Sequence, residues 1–204
     1  MRQRFACLSS VLLGAVLAVS ACGEAVSADP ASQAAPATPT AQSWTIIADA
    51  SKLAFSALQE GERFEGEFRE FYGDIYFDPE DLPGSGVAIT IPLISVSAGS
   101  KDRDSTLPGK VWFSTKAFPN ARFVSNEIVT MDDGYVAKGQ LTLKGISEAV
   151  SLPFTVEIDG DKAVMRGTMQ LDRTRWNVGA APWDTDEWVS RNVDLDIQVT
   201  ATRG

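Results

Sequence analysis

The side chains in this sequence that could do chemistry are few, and their types narrow what that chemistry is. The chain has no histidine. A Ser-His-Asp arrangement and histidine-bound haem are therefore excluded, and a zinc site has few ligands to draw on. No glycine-rich phosphate loop appears. Asp102, Asp104, Asp172 and Lys101 are the groups available for acid–base work, and they form no recognisable motif. An enzyme acting on a lipid or small apolar substrate would have to use them, and its mark would be a perturbed buried carboxylate. No catalytic residue, metal site or cofactor is expected. The cations suit a different task, holding the polar head of a ligand. Lys101, Arg103 and Arg173 are the candidates for it, with Arg175 and Arg191 behind them. Arg173 has a second reading, as the structural partner of Asp172 or another carboxylate.

The elements that must position these groups are strands. Leu53, Phe55 and Ala57 alternate with Ala54, Ser56 and Leu58. The same two-residue period runs through Phe64-Gly66-Phe68, Phe71-Gly73-Ile75-Phe77 and Val87-Ile89-Ile91-Leu93. It resumes from Phe123 to Met131, then in Tyr135 to Leu143, Val150 to Ile158, Ala163 to Leu171 and Val193 to Ala201. Asp133-Gly134 and Asp159-Gly160 are hairpin signals, and Pro92 demands an edge, a bulge or a break. Alternation with tight turns means one face buried and one wet. The fold class is all-β, an antiparallel barrel of about eight strands, enough to enclose a small ligand. Lys101 to Leu107 breaks the period and reads as a short helix or turn capping one end.

If the barrel is hollow, its lumen is the apolar parity of each strand: Phe55, Phe68, Phe77, Ile89, Ile91, Phe123, Leu141, Leu143, Phe154, Met165 and Met169. A bulge near Gly139 would turn Leu141 and Leu143 outward. Gly66, Gly73, Ala137, Gly139 and Gly167 lie among the large residues. They either leave space or fit the taper and bends of a filled barrel. Trp176, Trp183 and Trp188 either form an aromatic rim at the mouth or stack in a terminal loop.

The start of the chain is a targeting segment. Arg2 and Arg4 precede an uncharged, mostly apolar stretch from Phe5 to Val19, closed by Val19-Ser20-Ala21-Cys22. Residues 1–21 are expected to be a signal peptide, too short and wrongly flanked to span a membrane. Small residues before Cys22 resemble a bacterial lipobox, in which cleavage precedes an acylated Cys22. The alternative is ordinary cleavage after Ala21 or Ala28. Cys7 falls in the removed segment, so no intrachain disulfide is expected. Residues 22–42, rich in Ala, Pro, Ser and Thr, read as a tether, and 43–204 as the barrel. Removal of residues 1–21 takes away Arg2 and Arg4, leaving 16 basic against 27 acidic side chains and a charge of −11. That argues against nucleic acid and against electrostatic attachment to anionic lipid.

Several further segments resemble the YceI-like family of exported, lipocalin-like proteins. They are Ser95-Val96, the charged run ending at Leu107, Trp112-Phe113, Phe118-Pro119 with Arg122-Phe123, and Ser125. Gly139 with Leu141-Thr142-Leu143-Lys144-Gly145, and Asp172-Arg173-Thr174 with Trp176 and Gly179, also match, as do the opening Trp44 to Phe55 and the spacing of Gly66, Phe68 and Gly73. The resemblance implies an extended barrel around an apolar channel with a helix near its mouth. It also implies a long-chain apolar ligand of the polyisoprenoid or quinone type, held for storage or transport, and no enzymatic activity. Trp183 to Trp188 is longer than in simple members and resembles members associated with b-type membrane cytochromes, so a membrane redox partner is a second expectation. The expected location is the periplasmic side of a bacterial membrane. Gly23 after Cys22, where aspartate signals inner-membrane retention, favours the outer membrane.

Overall fold

The computed structural model describes residues 39–204. The expected signal peptide, Cys22 and most of the expected tether lie outside the described residues. In chain order the strands are β1 (Ser43–Ile46), β2 (Lys52–Gln59), β3 (Glu62–Phe68), β4 (Tyr72–Tyr76), β5 (Gly86–Pro92), β6 (Val96–Ser97), β7 (Asn120–Met131), β8 (Gly134–Leu143), β9 (Ile146–Asp159), β10 (Lys162–Asp172) and β11 (Asn192–Arg203). One helix, α1 (Lys101–Thr106), follows β6.

Eight strands close the barrel in the order β1-β4-β5-β7-β8-β9-β10-β11, with β11 returning to β1. All pairings are antiparallel. The register Trp44↔Arg203 and Ile46↔Ala201 makes the closure. The upstream half of β11 pairs instead with β2, Leu195 opposite Phe55. β1 and β2 thus form one long edge broken by the short 3-10 turn Ala48–Ala50. β5 stops at Pro92, which has no amide hydrogen to continue the ladder. Another 3-10 turn, Leu93–Ser95, then carries the chain to β6 beside β3.

The alternation survives as two packed clusters along the barrel axis. Trp44, Phe77, Ile128, Leu152 and Phe154 fill one end, where the rings of Phe77, Tyr135 and Phe154 lie 5.1–5.9 Å apart. The Trp44 indole donates to the Phe77 carbonyl there (2.8 Å), so its one polar atom is satisfied. Leu93, Val96, Phe113, Val150 and Trp176 pack at the other. Ordered contact begins before β1. The amides of Thr40 and Ala41 both donate to the Gly84 carbonyl (3.0 and 3.1 Å), and Gln42 accepts from the Phe77 amide (2.9 Å). Residues 40–42, the last of the expected tether, thus bond to the connection between β4 and β5.

The bulge expected near Gly139 falls on the facing strand. β8 keeps one parity from Ala137 to Leu143, while β7 shifts register between Ser125 and Glu127. Phe123 and Ile128, of opposite parity, consequently face the same interior. Gly139 sits across from that bulge, where a Cβ would meet the Val124 carbonyl. A Cβ at Gly66 would meet the Phe55 ring, and at Gly167 the Pro153 carbonyl (2.8 Å). These glycines admit close neighbours rather than leaving space.

β10 pairs with β9 only as far as Gly167↔Phe154. Beyond that point the strands part, and the 3-10 turn Arg173–Trp176 packs against β9. Arg175 bonds Glu148 across it (2.5 Å).

Candidate functional site

The barrel encloses an apolar cavity of about 530 Å³. That lies within the range of about 300–1,000 Å³ found for small-molecule sites. Phe55, Phe68, Phe77, Ile89, Ile91, Phe123, Leu141, Leu143, Phe154, Met165 and Met169 all line it, as does Trp176. Ile128 also does, a residue that simple parity misses because the bulge intervenes. The signal for it was a glycine, Gly139, facing the strand in question.

The polar side chains of the lining are Gln59, Asp102, Arg103, Thr106 and Arg173. They come from the end of β2, from α1 and from the end of β10, and these elements form the mouth. The β2–β3 turn, Glu60-Gly61, has both residues at positive φ (52° and 84°), the geometry of a tight two-residue hairpin. It projects against the segment 183–191, with the Glu60 amide donating to the Trp188 carbonyl (2.8 Å).

Helix α1 is held in place by its own charges. The Ser100 hydroxyl caps it by accepting from the Arg103 amide (3.2 Å). Asp104 accepts from the Ala98 amide (2.5 Å), and Arg103 Nε donates to the Ala98 carbonyl (2.7 Å). Arg103 Nη1 also donates to Gln59 Oε1 (3.1 Å), and its guanidinium lies 4.7 Å from the centre of the Phe64 ring. Its Nη2 makes no hydrogen bond to the described residues, which leaves it the donor best placed to meet a ligand. Lys101 is exposed and does not line the cavity, so it drops out as a head-group contact.

Arg173 does not face a head group either. It is only 6% exposed, and among the described residues it makes no ion pair with a carboxylate, Asp172 pairing with Arg191 instead. Its Nε donates to the Ser190 carbonyl (2.9 Å), and Nη1 to those of Val178 (2.7 Å) and Gly179 (3.1 Å). Nη2 donates to the carbonyls of Val189 (2.7 Å) and Trp183. Every guanidinium hydrogen is thus used on the loop after the 3-10 turn, and none remains for a head group. Burial lowers its pKa, while Asp172, Asp186 and Asp184 oppose that shift.

Asp172, offered by its type for acid–base work, is a cap. Its Oδ1 accepts from the Thr174 amide (2.9 Å) and hydroxyl (2.6 Å), and its Oδ2 from Arg191 (2.8 Å). Burial alone would raise its pKa; the Thr174 bonds and the Arg191 charge outweigh burial and hold it below the ordinary value. A depressed carboxyl contributes stability above the unfolded pKa, near 3.9, and loses it as pH falls through the folded value. Asp172→Ala should therefore lower the unfolding free energy by about 0.5–2 kcal/mol at neutral pH. The gap to the parent should close on acidification. A gap that stays constant as the solution is made acidic enough to protonate ordinary carboxyls would contradict this role.

Trp176 is fully buried, with its indole donating to the Leu141 carbonyl (2.9 Å), and so lies beneath the mouth rather than on its rim. The rim is Trp112, Trp183 and Trp188, with ring centres 6.3 Å (Trp112–Trp183) and 6.4 Å (Trp183–Trp188) apart. Trp112 stands 5.4 Å from the Arg173 guanidinium. Lys144, in the tight turn between β8 and β9, ties the rim together by donating to the carbonyls of Val111 (3.0 Å) and Asn177 (2.6 Å). No cluster of three or more acidic or cysteine side chains suited to a metal occurs among the described residues.

The barrel and its contents have relatives. Among solved structures, BcnA of Burkholderia cenocepacia is 30% identical, with a TM-score of 0.74 covering 77% of this chain and 99% of that one. A polyisoprenoid binding domain of Saccharophagus degradans, implicated in plant cell wall breakdown, shares the fold at 14% identity. Its TM-score is 0.62, over 80% of this chain and 99% of its own. UPF0312 proteins of Photorhabdus laumondii and Yersinia pestis are 34% and 36% identical over 87 residues, 43% of this chain. Those matches take in 45% of each relative, so the chain aligns with less than half the length of these curated proteins. The family model described as YceI-like domain matches residues 44–201, nearly the whole barrel, and the chain belongs to that family.

Proposed function

We propose that this protein binds one long apolar lipid, of the polyisoprenoid or quinone type, in the barrel lumen and acts on it as a carrier or store rather than as an enzyme. The observation that carries the reading is the distribution of polarity in the cavity: apolar along its length, with its polar lining side chains gathered at one end. That pattern fits a tail with one small head. Membership of the YceI-like family supports it, as does a structural neighbour described as polyisoprenoid binding. Titration of the full chain with a fluorescent prenyl probe should give saturable, one-to-one binding. Absence of saturable binding would sink the proposal.

The head is read by Arg103. Asp102 beside it and the carboxylates of the 184–187 loop disfavour a further negative charge, so the best ligand carries a neutral hydrogen-bond acceptor. Arg103→Ala should weaken binding of a prenyl quinone by about 1.5–3 kcal/mol. It should leave a head-free hydrocarbon probe unaffected. Equal losses for both probes would mean that Arg103 only holds α1.

The proposed setting is the periplasmic face of a membrane, the outer membrane in particular, with the chain anchored through acylated Cys22. Metabolic labelling with a fatty acid, lost in Cys22→Ala, tests that part separately. The anchor matters energetically. Each methylene transferred to water is disfavoured by about 0.8 kcal/mol. A tail of a few isoprene units therefore does not exchange through water. A bilayer is as apolar as the lumen and removes that barrier.

A further inference from the structure

The mouth is apolar on its outside as well as within. Trp183 and Trp188 are 36% and 42% exposed, Leu58 44%, Val111 38% and Phe118 37%. Backbone bonds join most of this set into one surface. Ser190 donates to the Leu58 carbonyl (2.9 Å), Glu60 to that of Trp188 (2.8 Å), and Gly179 to that of Val111 (3.0 Å). Phe118 packs on Gly145 beside Lys144, whose amine holds the Val111 carbonyl. Exposed tryptophans around the opening of an apolar cavity suit a water–lipid boundary.

The chain enters at the opposite end. Ser43 accepts from the Gly204 amide (3.0 Å), and Arg203 donates to Gln42 (3.3 Å) and to the Gly160 carbonyl of the β9–β10 turn (3.3 Å). β10 runs from that end, at Lys162↔Thr202, to the mouth, at Asp172↔Asn192. Ten residue steps of strand make this about 34 Å. The segment from Cys22 to Pro39 can extend to roughly 60 Å. A chain anchored at Cys22 can therefore turn its mouth to the same bilayer.

We propose that the rim of Trp183, Trp188, Leu58 and Val111 docks on the surface of a lipid bilayer and opens the cavity directly to its acyl chains. Asp184, Asp186 and Glu187 lie between the two tryptophans, so the preferred surface is zwitterionic, and anionic lipid weakens docking. The inference rests on the lipid-binding reading for its purpose, though docking is measured without it.

The test uses the chain without residues 1–21 and carrying Cys22→Ser, so that neither the apolar leader nor an acyl anchor contributes. Phosphatidylcholine vesicles should co-sediment the protein, raised salt should not release it, and added phosphatidylglycerol should reduce binding. L58S/W188S should lower vesicle affinity at least tenfold. Ile158→Ser, which alters an exposed side chain beside the β9–β10 turn at the opposite end, should leave it unchanged. Prenyl-probe binding by L58S/W188S, neither of which lines the cavity, should match the parent, which separates failure of docking from failure of the lumen. Vesicle binding equal in all three proteins, or none in the parent, would overturn the proposal. So would capture by a membrane protein through the acidic loop with no binding to protein-free vesicles. A second arm fixes Cys22 to a vesicle with a maleimide lipid. Deleting residues 26–35 leaves a reach of about 25 Å. Loading from the anchoring vesicle should then stop, while loading from free vesicles continues. Undiminished loading from the anchoring vesicle would contradict the geometry.

Discussion

Met169→Trp should lower affinity for a prenyl probe by about a hundredfold or more while the barrel stays folded. Met169 packs against both core clusters and lines the cavity, so it stands where one end of the lumen passes into the other. An indole there divides the space. Shutting out even one isoprene unit removes about five carbons' worth of transfer, near 4 kcal/mol. Stability moves less, because the indole enters a cavity rather than a filled core; overpacking costs at most about 1–3 kcal/mol. Met169→Leu conserves volume and should bind like the parent. Probe titration beside urea unfolding separates the two effects. A tryptophan variant that binds as tightly as the parent would show that the tail does not run past this point.

Arg173→Ala should destabilise the protein by about 3–5 kcal/mol, among the largest effects of any single change outside the packed clusters. The reason is geometric. One planar guanidinium satisfies the carbonyls of Ser190, Val178, Gly179, Val189 and Trp183, and truncation strands them together. Arg173→Lys should rescue little. A lysine has three donors in no fixed fork, against five in a plane. Urea unfolding gives the magnitude, and hydrogen exchange should rise first at the amides of residues 178–191. A loss below about 1 kcal/mol would mean the loop is held mainly by the tryptophan contacts.

These two residues mark how much of the site was legible in sequence. Strand parity placed Met169 and the other lumen residues on one face, because a two-residue period leaves no other inward set once a face is buried. Parity failed at Ile128, where one extra residue in β7 reverses the alternation. The chemistry of Arg173 was legible only as a cation. Its five partners are main-chain carbonyls, which every sequence has everywhere, so nothing in residue type could point to them. The same holds for Asp104 and Asp172, whose carboxylates cap backbone amides. Trp112 was visible as an aromatic but not as part of the rim, since its neighbour Trp183 lies far along the chain and meets it only through the loop that Arg173 holds. The glycines carried the opposite message from the one their size suggests. Gly66, Gly139 and Gly167 bring neighbours closer, and the cavity exists because the large inward side chains line a closed eight-stranded wall without filling it.

The central claim is that this wall encloses a long-chain lipid. The most direct test is mass spectrometry of the lipids extracted from the protein after mild purification from native cells. One long-chain apolar species, polyisoprenoid in its carbon skeleton, is expected at near-equal molar amount and depleted in Met169→Trp. Recovery of no long-chain lipid, or of bulk phospholipid equally from parent and variant, would contradict it.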